Sequence, residues 1–276
     1  MGATLWRVKV ADKTAEATRQ SAEAARLTAE AAQQTAQASL QSQINERFTT
    51  AIELLTSKEL PSRLGGIYSL ERIAKESEEH HWPVIETLAA FIRANAPRDF
   101  TDNDSTALGD ASTRTAVEAA LTVIGRRNHE FDAKDRRVNL QGCDFRGMNL
   151  AGLHLATATL MNTHLGLTGF VDTNLEGAVL RGIFADGAQF LGAKLRGATF
   201  EFAELRATNF KNADLRDADF MGATTTGASI DGADLRDTKY LSEDQVRAMR
   251  WLPLDPPTLP PAMQHLLVAD EHEDVQ

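Results

Sequence analysis

Cysteine is all but missing from the 276-residue chain: Cys143 stands alone, so no intramolecular disulfide can form and a disulfide-built scaffold is excluded. No run of 18 or more apolar residues occurs, which excludes an ordinary membrane-spanning helix. Positive charge is in short supply as well, 29 Lys and Arg against 39 Asp and Glu for a formal −10, and this argues against general affinity for nucleic-acid phosphates or anionic lipid. The opening MGATLWRVKV has no apolar core of export-signal length. These absences together favour a reducing, cytoplasmic setting and leave proteins as the partners to consider.

Glycine and proline are absent between Ala3 and Leu60, and that stretch contains four near-identical heptads, AEATRQS, AEAARLT, AEAAQQT and AQASLQS, from Ala15 to Ser42. Alanine is the best helix former, so one helix from about Asp12 to Thr56 is expected. A sustained seven-residue period is the pattern of a coiled coil. Its seam would be Ala15, Thr18, Ala22, Ala25, Ala29, Ala32, Ala36 and Ser39, side chains that bury little area, so a solitary stalk is the alternative.

A second period governs the C-terminal half. At every fifth position from Leu140 to Tyr240, 19 of 21 residues are large and apolar; a small residue, mostly Ala or Thr, stands two before and often Gly two after. Five residues advance a helix by roughly 500°, which scatters the apolar side chains around it. An odd spacing also alternates the faces of a flat strand. A chain that turns a corner every five residues satisfies the pattern, because every fifth side chain then points to one axis: a solenoid.

This repeat, for instance Ala213-Asp214-Leu215-Arg216-Asp217-Ala218-Asp219-Phe220, resembles the pentapeptide repeat family. The resemblance implies a right-handed quadrilateral β-helix with four repeats per coil, about five coils at roughly 4.8 Å each. In that register Leu140, Leu160, Leu180, Phe200, Phe220 and Tyr240 form one inward column. Ala185 and Thr225 place small residues where Leu or Phe belongs; Ile183 is expected to fill the gap at Ala185, with local distortion near 183–187 and 224–227.

Between the two periodic regions, apolar spacing predicts helices over Phe48-Ile52-Leu55, Leu64-Ile67-Leu70-Ile73, Val84-Leu88-Phe91-Ile92 and Val117-Ala120-Leu121-Ile124, separated by Pro61, Pro83, Pro97 and Gly109. RLGGIYSLERIAKES, WPVIETLAAFIRANAP and AVEAALTVIGRR resemble the helical segment preceding the repeats in many actinobacterial proteins of that family, and their alternation is HEAT-like. Asp99–Asp110 reads as a polar loop. Ser242 and Gln245 form a capping box that opens a short C-terminal helix, and the Pro-rich, acidic chain beyond Pro253 is expected to be extended and mobile. The fold class is therefore α+β, with a heptad helix at 1–43, a helical domain at 44–137, the β-helix at 138–240, and a capping helix with a tail at 241–276.

No catalytic, cofactor-binding or metal-ligating constellation emerges. Gly65-Gly66 lacks a third glycine and a preceding strand and is assigned to helix packing. His80-His81 has no ligand partner at metal spacing and reads as a solvated helix end; His154 and His164 read as surface residues. Cys143 falls in an inward slot, where a buried thiol is inert. An interior filled by Leu and Phe leaves no room for a substrate, so a non-enzymatic scaffold or adaptor acting through its outer faces is the expected function. Arg196, Arg216 and Arg236 stack as a charged stripe beside Asp214, Asp217, Asp234 and Asp237. Leu167, Val171, Phe184 and Leu191 stand where polar residues belong and form the candidate partner-binding patch; the alternatives turn Phe184 inward through a bulge, or fold the helical domain back over this face as an internal interface.

The resemblance also implies a rival function. Members of the family, the quinolone-resistance proteins among them, mimic duplex DNA and bind DNA gyrase. Residues 138–240 carry 9 basic and 12 acidic residues, whereas residues 212–276 carry 5 and 13, so only the C-terminal end has such a charge. Self-association is expected through the heptads or the Ser242–Arg250 helix.

Overall fold

The computed structural model describes residues 2–98, 110–132 and 135–267, with side chains from Lys13 onward. The expected loop after Arg98 and the acidic end of the tail lie outside the described residues. Two compact units divide the chain, Met1–Thr50 and Ala51–Gln276.

Helix α1 runs unbroken from Gly2 to Leu55, beginning earlier than Asp12 because nothing after Gly2 interrupts it. Residues 13–40 are exposed all round. Their threonines turn back onto the helix: the Thr18, Thr28 and Thr35 hydroxyls donate to the carbonyls of Thr14, Ala24 and Ala31 at 2.7–2.8 Å. All eight seam positions lie within this exposed stretch.

In the second unit, α2 (Leu60–Glu76), α3 (Glu78–Asn95) and α4 (Ala111–Gly125) pack on one another over a core of Ile67, Leu70, Ile73, Val84, Leu88, Ile92, Val117, Leu121 and Ile124, all at most 1% exposed. The end of α1 approaches α2 at Gly66, where a Cβ would stand 2.7 Å from the Ala51 carbonyl oxygen; glycine here serves close helix contact. Pro83 does not separate two helices as expected but lies inside α3. This close to the helix start a proline removes only its own N–H from the helical ladder, so the helix continues through it.

From Val138 the chain climbs in 20-residue coils. Parallel bridges join each residue before an inward position to its equivalent one coil on, Asn139 to Thr159, Asp144 to His164, and so on to Asp219 with Lys239. The Leu140 N–H donates to the Thr159 carbonyl and the Thr159 N–H to the Val138 carbonyl, both at 2.8 Å, and this exchange repeats up every side. Between sides the chain turns on a left-handed residue. At Thr157, Asn162, Leu167, Asp172, Phe202, Ala207, Asn212 and Asp217 that residue is not glycine.

The interior is closed by ring stacks: Phe170 on Phe190 at 4.7 Å, Phe190 on Phe210 at 5.3 Å, and Phe200 on Phe220 at 5.3 Å. Rings repeated at the coil spacing meet face to face with an offset, an arrangement worth about 0.5–1.5 kcal/mol per pair beyond burial. Buried threonines two before the inward positions are satisfied by the coil below; the Thr168, Thr173 and Thr208 hydroxyls donate to the carbonyls of Phe145, Leu150 and Ala185 at 2.8–2.9 Å.

Several expectations are corrected. The ladder passes Ala185 and Thr225 without a bulge, and both stay buried, at 0% and 2% exposed. Ile183 is fully buried beside Ala185, so the missing volume is replaced by a neighbour without moving the backbone. Tyr240 leaves its column and is 69% exposed, while Leu241 is buried, so the register ends at Leu235. The chain beyond Pro253 is ordered as far as Leu267: Thr258 pairs with Asp234, and Leu259 and Leu266 are buried. The physical reason is the open edge of the last coil, whose N–H groups need acceptors; those of Gly227, Ile230, Gly232 and Leu235 find the carbonyls of Ala248, Arg250, Asp255 and Thr258.

Among the described residues no helix is long and apolar enough to cross a membrane.

Candidate protein-interaction surface

An outward side chain on the solenoid either precedes an inward residue, on the flat of a side, or follows it, on a corner. Val171 and Leu191 are corner residues stacked one coil apart, where the Asp172 N–H donates to the Leu191 carbonyl at 2.9 Å, and both are half-buried. Leu167 occupies the next corner back and is 74% exposed. Gly169 lies between Leu167 and Val171 and leaves the surface flat there. Phe184 sits on the adjoining side, paired regularly with His164 and Glu204 rather than turned inward.

Phe184 is not a free apolar surface. The Arg98 guanidinium lies 3.6 Å from its ring centroid, and the His164 ring stacks at 5.9 Å. Burial and the Arg146 charge hold His164 below its ordinary pKa, and burial lowers that of Arg98. The four apolar residues therefore divide into an open set, Leu167 with Val171 and Leu191, and a covered one, Phe184.

The arginine stripe is tied down. Arg216 grips Asp214 through Nε and Nη2 at 2.8 and 2.7 Å, Arg236 grips Asp234 in the same way at 2.9 and 2.6 Å, and Arg196 reaches Asp217 at 2.9 Å. The hydrogen bonds to arginine hold Asp214 and Asp234 below the usual carboxylate range. An Arg two residues after an Asp on a corner meets the carboxylate's two oxygens with its planar fork. Such exposed pairs contribute little to stability, since water screens them, and present a nearly neutral surface.

Of two further features, sequence reasoning missed the first and anticipated the second only in outline, as a helical domain closing that end of the solenoid. Phe202, 53% exposed, shares a corner with Met221, and Arg181 lies 5.6 Å above the Phe202 ring. The second is the cover over the first coil. The Asp144 N–H donates to the Ala96 carbonyl, the His154 N–H to that of Gly125, and Arg93 and Arg114 donate to the carbonyls of Asn139 and Gly147. Helical residues thus meet the first, second and fourth sides of that coil, and the corner that leads to the third. No five-residue signal marks these partners; only the unpaired edge itself anticipates that something must cover it.

Histidines also depart from expectation. His81 is 1% exposed and His80 8%, so neither ends a solvated helix. His81 Nε2 lies 3.1 Å from Asp132 Oδ1, and Arg127 holds Asp132 with two nitrogens. His154 is half-buried. Cys143 is buried as expected, and loss of solvation pushes its thiol up to about 12. A cleft of about 360 Å³ lies between α3 and the entry to the solenoid, lined by Trp82, Glu86, Arg93, Arg137 and Asn139 among others. Among the described residues no cluster of His, Cys, Asp and Glu has the arrangement of a metal site.

The family model for pentapeptide repeats matches residues 173–212 and 203–239, with eight copies. Solved structures that resemble the chain include HetL, a pentapeptide repeat protein involved in heterocyst differentiation regulation in the cyanobacterium Nostoc sp. strain PCC 7120. It is 29% identical over 40% of this chain and 49% of that one, with a TM-score of 0.27. Rfr23 of the cyanobacterium Cyanothece 51142 is 17% identical over 46% and 92%, TM-score 0.26. The plasmid-mediated fluoroquinolone resistance protein QnrB1 is 17% identical over 51% and 85%, TM-score 0.22. The chain thus spans about half the length of HetL. No curated protein matches it.

Proposed function

Because its solenoid makes this chain a pentapeptide repeat protein, we propose that it is a non-enzymatic protein–protein interaction scaffold, with partners docking on the β-helix corners. The observation carrying this reading is Leu167, 74% exposed on a backbone-fixed corner, with the half-buried Val171 and Leu191 on the next corner. A rigid scaffold presents apolar groups at little cost in conformational entropy on binding.

The four parts have separate tasks in this proposal. Residues 1–43 set spacing or oligomeric state through the heptads, and residues 44–137, HEAT-like in their alternation, act as an adaptor and close one end of the solenoid. Residues 138–240 form a right-handed, four-sided display surface, and residues 241–276 close the other end. A cytoplasmic location suits the single buried thiol. Paired arginines and aspartates leave the stripe at Arg196, Arg216 and Arg236 weaker than the leucine corner as a docking surface.

The test is pull-down with the intact chain and a Leu167→Asp, Val171→Asp, Leu191→Asp variant that retains the parent circular dichroism. Loss of specific partners in the variant supports the corner; recovery of the same partners sinks it. A gyrase supercoiling assay on the same pair decides the rival reading: inhibition equal in both would favour DNA mimicry through the acidic C-terminal coils. Light scattering on the intact chain and on one beginning at Gln43 tests the heptads, and equal monomeric masses would leave α1 a stalk.

A further inference from the structure

His154 belongs to the first coil, and three groups from the helical side close over it. Its N–H donates to the Gly125 carbonyl at the end of α4, at 2.8 Å. Its carbonyl accepts from Arg127 Nη1 at 3.1 Å. Its ring lies against that of His129, with centroids 3.6 Å apart and planes 22° from parallel. Nδ1 of His154 is buried and meets no hydrogen-bond partner.

The charged and titratable groups around this stack come from every neighbouring element. Arg127, just past α4, is gripped by Asp132. His129 and Asp132 come from the short helical turn at His129–Phe131 and its end, with His129 Nδ1 4.0 Å from Asp132 Oδ2. His81 of α3 shares Asp132. Arg126 is held by Glu71 of α2, which Lys75 also contacts. One carboxylate, Asp132, therefore already serves Arg127 and His81, and has little capacity left for two more cations.

We propose that the His129–His154 stack is a pH-sensitive clasp: protonation of the two stacked rings parts the helical cover from the first coil and bares that side of its edge. Two neutral imidazoles stack; two imidazolium rings at this distance repel each other and Arg127. Burial is the largest influence holding both histidines below their ordinary pKa, followed by Arg127 at His129 and by His129 at His154. Protonated His154 would also place a buried N–H where nothing accepts it, unless the junction opens. Because the folded pKa values are lowered, the joined state is favoured above the unperturbed value of about 6.5 and loses that advantage as pH falls through the window below it. Asp132 is lowered as well and acts in a separate, more acidic window, so the two effects are distinguishable.

Hydrogen exchange of the full chain, corrected for intrinsic rates, at pH 7.5 and 5.5 tests the clasp. Segments 120–127 and 150–157 should exchange at least tenfold faster at the lower pH, with the coils beyond Phe170 unchanged. A His129→Phe, His154→Phe variant, which keeps flat rings but cannot take up protons, should lose this response. Equal protection of the parent at both pH values, or the same loss in the variant, overturns the proposal. If the variant does not fold, imidazole NMR of the parent decides: both histidines must titrate over the range where protection falls, and histidines still neutral there overturn the clasp.

Discussion

Leu167 lies across Gly187 one coil above it, so closely that a Cβ on Gly187 would stand 2.9 Å from Leu167 Cδ2. The relation recurs around the solenoid: Asn162 faces Gly182, Asp172 faces Gly192, Phe202 faces Gly222 and Asn212 faces Gly232. At these five corners the side chain in the left-handed region leans over the next coil, and glycine there leaves room for it while also accepting the same backbone conformation, φ +70 at Gly187. Side-chain-bearing and glycine corners therefore alternate on three of the four corner columns, the fourth running Thr157, Gly177, Gly197, Asp217 and Asp237, and the exposed Leu167 depends on the glycine above it.

Gly187→Ala should destabilise the protein by about 1–3 kcal/mol, from strained φ and the clash together. Adding Leu167→Ala should recover the steric part only. Denaturant midpoints of the three proteins check this, and full recovery in the double variant would remove the backbone contribution.

Leu195→Lys should abolish folding of the solenoid. Leu195 is 0% exposed between Leu175 and Leu215, and an unpaired ammonium there costs several kcal/mol, comparable to the roughly 5–15 kcal/mol that holds a domain folded. Unchanged circular dichroism and melting temperature would contradict the five-residue register.

Removal of residues 242–276 should promote aggregation, because the N–H groups of Gly227, Ile230, Gly232 and Leu235 lose the acceptors that now cover the last coil. Gln245→Ala is a milder form of the same lesion. The Gln245 side chain donates to the carbonyls of Phe220 and Ala223 at 2.9 and 2.8 Å and completes the Ser242 capping box, so a loss of about 1–3 kcal/mol is expected in thermal melts. A truncated chain as soluble and stable as the intact one would refute the covering role.

Cys143 should resist alkylation in the native protein at pH 8 and react at once after unfolding. Its thiol is held neutral by burial, with a folded pKa of about 12 against 9.0 unperturbed. A raised pKa means that the group's contribution to stability is complete below about 9 and is lost as pH rises from there toward 12. Iodoacetamide trapping followed by mass measurement reads this directly, and rapid native labelling would show that the first coil opens.

The repeats were legible because each five-residue unit carries its own instruction: a small residue, an inward Leu or Phe, and a turn. Twenty inward side chains from Leu140 to Leu235 could therefore be placed before any coordinates. The helices were legible for the same reason, since the spacing of Ile67, Leu70 and Ile73 is local. The irregular ends were not, because pairing between Thr258 and Asp234, or between Gly125 and His154, joins residues with no shared period; their partnership exists only because the solenoid leaves unpaired backbone at each end. The histidine cluster escaped likewise, as His81, His129 and His154 belong to α3, the turn after α4, and the first coil, and only their packing brings them together. Local periodicity determined the β-helix and the helices, whereas tertiary packing decided how the ends are covered and which outer residues remain exposed, because burial and hydrogen-bond satisfaction at an edge depend on whatever the rest of the chain can bring to it.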